Sequence, residues 1–302
     1  LQKYHPSFNL HFVKTKSNKV RDIRDHYLGQ LAVLYPQAEA ASLFDIMLEG
    51  LTGITKMQRI VESELRLSES EMLKVHFAVK DLMCEKPVQY ILGFSEFYGL
   101  RLEVNKHVLI PRPETEELVA WIVEEAANTE VPKILDIGTG SGAIALAIKD
   151  QLPSAVMEAC DISDEALKVA GRNAATLNLD VCFSQIDILN ESERNRLGAF
   201  DVIVSNPPYV RQSEKAQMRN NVLKYEPGQA LFVSDDNPLL FYKVIIRFAQ
   251  KHLLADGSLY FEINENYGDE ISTLLISEGF KAVELRQDIY QRPRMVRGKR
   301  EY

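Results

Sequence analysis

At 302 residues the chain is too long for one typical domain of about 100–200 residues and long enough for a large domain plus a smaller one. Its 46% hydrophobic and 26% charged residues suit a soluble globular protein, and no apolar run approaches the roughly 20 residues of a membrane-spanning helix. The net charge of −8 argues against a protein that wraps long nucleic acid.

Residues 1–19 read as a polar leader, expected to be partly disordered, with four lysines and no apolar core of the kind a secretory signal carries. Cys84, Cys160 and Cys182 are widely spaced and form no C-x-x-C pair, so neither a disulfide framework nor a thiolate zinc site is expected, and a reducing cytoplasm fits best. The six histidines show no H-x-x-x-H or H-E-x-x-H spacing, so no metal is expected.

Over 20–86 the pattern is helical. Ile23, Tyr27, Leu31 and Leu34 recur at three- and four-residue steps, then Leu43, Ile46, Met47 and Leu51 after Pro36. Ser68-Glu69-Ser70-Glu71 matches a capping box, and the helix it starts runs through Leu73, Phe77 and Val79. This small helical domain either packs on the larger one or presents a surface to a macromolecular partner. Residues 87–93 and 97–104 alternate apolar and polar side chains around Gly and Ser, which predicts a β-hairpin linking the domains over 87–110.

A larger domain is expected over 111–302. Pro113 suits the first turn of a helix whose N-terminal dipole Glu114, Glu116 and Glu117 complement, while Arg112, held between two prolines, is a stiffly presented cation and a candidate to line a cleft. Strand patterns at 133–137, 155–160, 181–185 and 200–205 alternate with helix patterns from Ser141 and Asp164, which predicts a doubly wound parallel sheet. A helix over 238–254, a strand over 258–263, a helix over 267–278 and two further strands near 282–286 and 295–298 complete it.

Asp136-Ile137-Gly138-Thr139-Gly140-Ser141-Gly142 joins a strand to a helix through glycines, which permit a tight turn and let a ligand lie against the backbone. The G-x-G-x-G spacing lacks the Lys-Ser/Thr ending of a phosphate-binding P-loop. Asp161, ending the next strand, is placed to accept both ribose hydroxyls of an adenosine, and Asp187 with Ile188 to edge an adenine pocket. After the fourth strand comes Asn206-Pro207-Pro208-Tyr209. The two prolines fix their own φ angles and remove two donors, so the corner presents acceptor oxygens beside a flat ring, a geometry for holding a planar group that bears an NH2. A glutamine amide and an adenine both answer that description. Residues 211–229 form a long excursion, either a lid over the site or a plain connection.

The order of these motifs resembles the class I S-adenosylmethionine-dependent methyltransferases, and Asn-Pro-Pro-Tyr narrows the resemblance to those that methylate an NH2 group. Gln89-Tyr90-Ile91-Leu92-Gly93, Phe97-Tyr98-Gly99, the 109–116 block Leu-Ile-Pro-Arg-Pro-Glu-Thr-Glu and Tyr225-Glu226-Pro227 resemble the protein-(glutamine-N5) methyltransferases of class I peptide chain release factors, the HemK/PrmC family. The likeness runs from about Val20 to the C-terminus. It implies a Rossmann-like α/β sheet with its last strand antiparallel, a helical N-terminal domain that recognises substrate, and S-adenosylmethionine as methyl donor with S-adenosylhomocysteine as product. It also implies transfer to the glutamine of the Gly-Gly-Gln motif in support of translation termination. Asp136, Gly138, Thr139, Gly140, Ser141, Gly142, Asp161, Asp187, Ile188 and Asn206 would bind the cofactor. Asn206, Pro207, Pro208, Tyr209 and Arg112 would bind the substrate, with Asn206, Pro207 and Tyr209 catalytic. A monomer without membrane or direct nucleic-acid contacts is expected. The competing readings are glutamine methylation of a ribosomal protein, adenine-N6 methylation of nucleic acid, and a cofactor-binding module without catalysis.

Overall fold

The structure, a computed structural model, describes residues 17–301, so most of the leader expected over 1–19 lies outside the described residues. The chain divides into two units after Leu92. The first contains helices α1 (Val20–Leu31), α2 (Gln37–Thr52), α3 (Lys56–Val61), α4 (Glu69–Met83) and α5 (Val88–Leu92). Capping boxes start α3 at Thr55 with Gln58 and α4 at Ser68 with Glu71, and Gly53 (φ +75°) closes α2 by donating its N–H to Glu49 O. Ile23, Tyr27, Leu31, Phe44, Met47, Val75, Val79 and Leu82 meet in one core.

Two expected stripes differ from the observed ones. Leu73 and Phe77 are exposed (44% and 57%), as is Ile46, and α4 buries Val75, Ala78, Val79 and Leu82 instead. The helix carries apolar residues at helical spacing on two faces, and the set extending over two turns is the one that packs. Leu34 lies beyond the last residue of α1 and is also exposed.

The second unit opens with the hairpin β1 (Phe94–Phe97) and β2 (Leu100–Glu103), turned by Tyr98 and Gly99 with φ of 49° and 77°, as a primed two-residue turn requires. The strand expected over 87–93 is helix α5, and the one expected over 97–104 is broken by this turn. Pro87 accepts hydrogen bonds from the Tyr90 and Ile91 amides, and Gly93 (φ +79°) ends the helix, so Val88, Ile91 and Leu92 are spaced for a helical turn.

There follow α6 (Pro113–Ala126), β3 (Lys133–Ile137), α7 (Ala143–Gln151), β4 (Val156–Asp161), α8 (Asp164–Leu177), β5 (Cys182–Gln185), α9 (Glu191–Arg194) and β6 (Phe200–Ser205). After β7 (Val210–Arg211), α10 (Asn220–Tyr225) and β8 (Phe232–Val233) come α11 (Leu240–His252), β9 (Leu253–Glu262), α12 (Gly268–Ser277), β10 (Lys281–Gln287) and β11 (Pro293–Lys299). The excursion over 211–229 is thus ordered: β7 and β8 pair in parallel around two short 3-10 turns and α10.

The main sheet has the order β10-β11-β9-β6-β3-β4-β5. Neighbours from β9 to β5 run parallel, and β11, the last strand, lies antiparallel between β9 and β10. Successive residues face opposite layers. Ile134, Val202, Val204 and Tyr260 pack with residues of α6 and α7, while Leu135, Ile203, Leu259 and Phe261 pack with residues of α11 and α12. Because β4 and β5 extend to one side of β3 and β6 and β9 to the other, β3 is the switch point, where open sheets bind ligands at their C-terminal edge. Among the described residues no helix is long and apolar enough to cross a membrane.

Candidate active site

At the end of β3 the chain turns through Gly138, Gly140 and Gly142, all at positive φ (77°, 55° and 83°). A Cβ at Gly138 or Gly140 would enter open space, so the loop leaves a cradle that a side chain would fill. Gly142 has a different function: a Cβ there would meet Leu146 at 3.0 Å and Ala170 at 3.3 Å, so its smallness lets α7 start tight against α8. Asn173 of α8 fixes the loop from behind, donating to Ser141 O and to Glu103 O of β2 while accepting from Glu103 N.

Asp136 is fully buried. Thr139 Oγ1 donates to its Oδ2 at 2.6 Å, whereas Oδ1 meets no hydrogen-bond donor at good geometry; the nearby Ala145 amide favours the charged form of the carboxyl group. Burial pushes the Asp136 carboxyl up to about 7, and Asp161 nearby adds to the rise. Asp161, also raised by burial, ties the ends of the two strands together: its Oδ2 accepts from the Gly140 amide at 2.9 Å and its Oδ1 from Ser163. Each carboxylate oxygen has a second lone pair, so both remain able to accept from a ligand. Asp187 Oδ1 accepts from the Leu189 amide.

These elements border a cavity of about 260 Å³. Gly138, Gly140, Asp161, Asp187, Ile188, Asn206, Pro207 and Pro208 line it; Asp136, Thr139, Ser141 and Gly142 lie behind the loop rather than on the cavity wall. Further wall comes from Val108 and Leu109 on one side, Pro227, Gln229 and Ala230 on another, and Phe241 and Ile245 of α11; of these only Leu109 and Pro227 fall in the recognised motifs.

The corner Asn206 to Tyr209 follows β6 as its apolar run predicts, with Pro207 buried. Asn206 Nδ2 donates to Thr115 Oγ1 at 3.4 Å, and Tyr209 Oη donates to Glu262 Oε1 at 3.1 Å. Burial and the adjacent Glu262 carboxylate hold the Tyr209 phenol far above its ordinary range, so it stays protonated. Arg112 is engaged: its Nη2 lies 2.6 Å from Glu226 Oε1, and the Ile110 amide donates to Glu226 Oε2 at 3.1 Å. The buried Glu226 carboxylate therefore clasps the 108–112 segment to the 226–230 segment, two walls of the cavity. A glutamate between a tyrosine and a proline was the visible signal for this residue, but nothing local revealed what it would grip.

The sequence of this chain is 42% identical over 281 residues to a release factor glutamine methyltransferase from Flavobacterium psychrophilum, covering 92% of this chain and 98% of that protein. It is 38% identical to one from Bacteroides thetaiotaomicron, covering 91% and 98%. The chain belongs to the release factor glutamine methyltransferase family. The family model for the Methyltransferase small domain matches residues 116–227, which run from α6 through the glycine loop to the clasp. The solved hMettl16 catalytic domain has the same fold, with a TM-score of 0.53, 17% identity and coverage of 78% of this chain and 82% of that one. The fold is that of the class I S-adenosylmethionine-dependent methyltransferases, as the motif order led us to expect. For a release factor glutamine methyltransferase the cavity residues fit S-adenosylmethionine on two counts: the open glycine cradle, and the acids Asp161 and Asp187 beside apolar Ile162 and Ile188.

Proposed function

We propose that this protein transfers a methyl group from S-adenosylmethionine to the side-chain amide nitrogen of the Gly-Gly-Gln glutamine of class I peptide chain release factors. One observation carries the reading: a single cavity joins the glycine cradle to the acceptor corner at Asn206, Pro207 and Pro208, so donor and acceptor sites share one wall. The 42% and 38% identities to release factor glutamine methyltransferases, each over nearly the whole of that protein, support the choice of acceptor.

Gly138, Gly140, Asp161, Asp187 and Ile188 would hold the cofactor against the sheet edge, with Asp136, Thr139, Ser141 and Gly142 fixing the loop from behind. Bound there, S-adenosylmethionine supplies a methyl group on a cationic sulfur. A glutamine amide nitrogen is a poor nucleophile because its lone pair is delocalised, so the work of the protein is orientation. Asn206 Oδ1 and the Pro207 carbonyl accept the two amide hydrogens and hold the nitrogen toward the methyl group; such placement can recover up to roughly 7–11 kcal/mol of barrier. As positive charge grows on nitrogen, the same fixed oxygens stabilise it without reorganising. Tyr209 packs on the amide plane. Once alkylated, the amide nitrogen is strongly acidic and gives its extra proton to water, so no strong base is required. Arg112 acts through its clasp on Glu226.

The exposed apolar residues of α4, Leu73 and Phe77, support a release-factor-recognition role for the helical unit. The acidic charge supports action on protein rather than nucleic acid. A monomer in the cytoplasm completes the reading. Replacing Asn206 by Ala is the direct test: methyl transfer is expected to fall by two orders of magnitude or more while S-adenosylhomocysteine still binds. Unchanged turnover with intact cofactor affinity would sink the mechanism.

A further inference from the structure

Glu262 ends β9 in an otherwise apolar run, is 1% exposed, and lies at the same sheet edge as Asn206. A carboxylate is seldom buried without a purpose, and this one is surrounded by donors. Thr115 Oγ1, from the first turn of α6, donates to Glu262 Oε2 at 2.5 Å; Tyr209 Oη donates to Oε1; Arg294 adds positive charge. Burial raises the Glu262 carboxyl, and the threonine bond, Arg294 and Tyr209 oppose that rise, stabilising the acceptor form.

A threonine hydroxyl has a single proton. With that proton given to Glu262, only lone pairs of Thr115 Oγ1 face Asn206, and only the Nδ2 end of the Asn206 amide can meet them. The observed contact is of that kind, at 3.4 Å, a length common in catalytic hydrogen bonds before substrate arrives. We propose that Glu262 and Thr115 are positioning residues forming a relay that fixes the direction of the Asn206 amide, nitrogen toward Thr115 and oxygen toward the acceptor. The inference rests on the methyl-transfer reading, in which Asn206 must present an acceptor; the reversed amide would offer an NH2 to the incoming NH2. The same carboxylate, through its other oxygen, sets the tilt of the Tyr209 ring, and Asn264 Nδ2 donates to Tyr209 O to hold the backbone of the corner.

The test compares Thr115→Val, which keeps the shape and removes the oxygen, with Thr115→Ser, which keeps the oxygen. Turnover on the intact release factor, affinity for S-adenosylhomocysteine and the Asn206 side-chain NH2 resonances are measured on the full chain. Thr115→Val is expected to lower kcat about ten- to a hundredfold. Cofactor affinity should stay within about twofold and the Asn206 NH2 resonances should shift. Thr115→Ser should match the wild type in all three. If the valine variant does not fold, Thr115→Ala removes the same oxygen and is read in the same way. Unmoved Asn206 resonances, or full kcat without the hydroxyl, would overturn the relay. If the wild-type protein methylates no release factor while the Asn206 resonances respond as expected, the relay stands and the acceptor assignment falls.

Discussion

A carboxylate sealed behind the glycine loop is an unfavourable thing to bury, and Asp136 shows the cost in its raised pKa of about 7. Since the folded value exceeds the ordinary carboxylate value, the native protein keeps this proton at pH values where the unfolded chain has released it. Stability from this group is therefore fully present below about pH 4 and is lost as the pH rises to about 7. Asp136→Asn removes the dependence: its melting temperature should match the wild type near pH 4 and exceed it by at least a few degrees at pH 8. A variant no more stable at pH 8 than the wild type would show that Asp136 is not strained. Asp136, Asp161 and Asn206 could be picked out from sequence because each lies at or just past the C-terminal end of a strand in a short local motif. The partnership of Thr115, itself within the 109–116 block, with Asn206 and Glu262 could not, since Asn206 and Thr115 are 91 residues apart and Thr115 and Glu262 are 147 apart. For Glu262 the local sign was a lone Glu at the end of an apolar strand.

At the scale of elements, the β3–loop–α7 unit depends on Gly142, whose φ of +83° and contact with Leu146 leave no room for a side chain. Gly142→Ala should lose about 1–3 kcal/mol in denaturant unfolding and bind S-adenosylhomocysteine more weakly; an unchanged midpoint would contradict this account of the turn. The clasp makes a second prediction. If Arg112 acts by holding Glu226, then Arg112→Ala and Glu226→Ala should each weaken cofactor affinity several-fold, and the double variant should be little worse than either. Additive losses, or a rise in KM for the release factor with Arg112→Ala alone, would instead mark Arg112 as a substrate contact. The strand and helix order of the sheet was legible because alternating apolar runs and loop glycines are local signals. The hairpin was misplaced because Val88 to Leu92 satisfies both a strand and a helical spacing, and the choice was made by Pro87 and Gly93.

Over the whole molecule, the proposed reading assigns chemistry and recognition to different parts of the chain. The second unit contains the cavity, the acceptor corner and the relay, while the helical unit has its own core and leaves Leu73 and Phe77 exposed on α4. Replacing both by Ser should raise KM for intact release factor with kcat and cofactor affinity unchanged; no change in KM would remove this face from recognition. Those two residues illustrate why surfaces are hard to read from sequence: their spacing is that of a core stripe, and only the packing of α4 on α2 shows that they point outward. The central claim, that the acceptor is a protein glutamine, is tested most directly with methyl-labelled S-adenosylmethionine and, in parallel, purified release factor, ribosomal proteins and DNA. The account predicts label on the side-chain nitrogen of the Gly-Gly-Gln glutamine of the release factor and none on the other two. Label on nucleic acid or on a ribosomal protein, with the release factor unmodified, would contradict it.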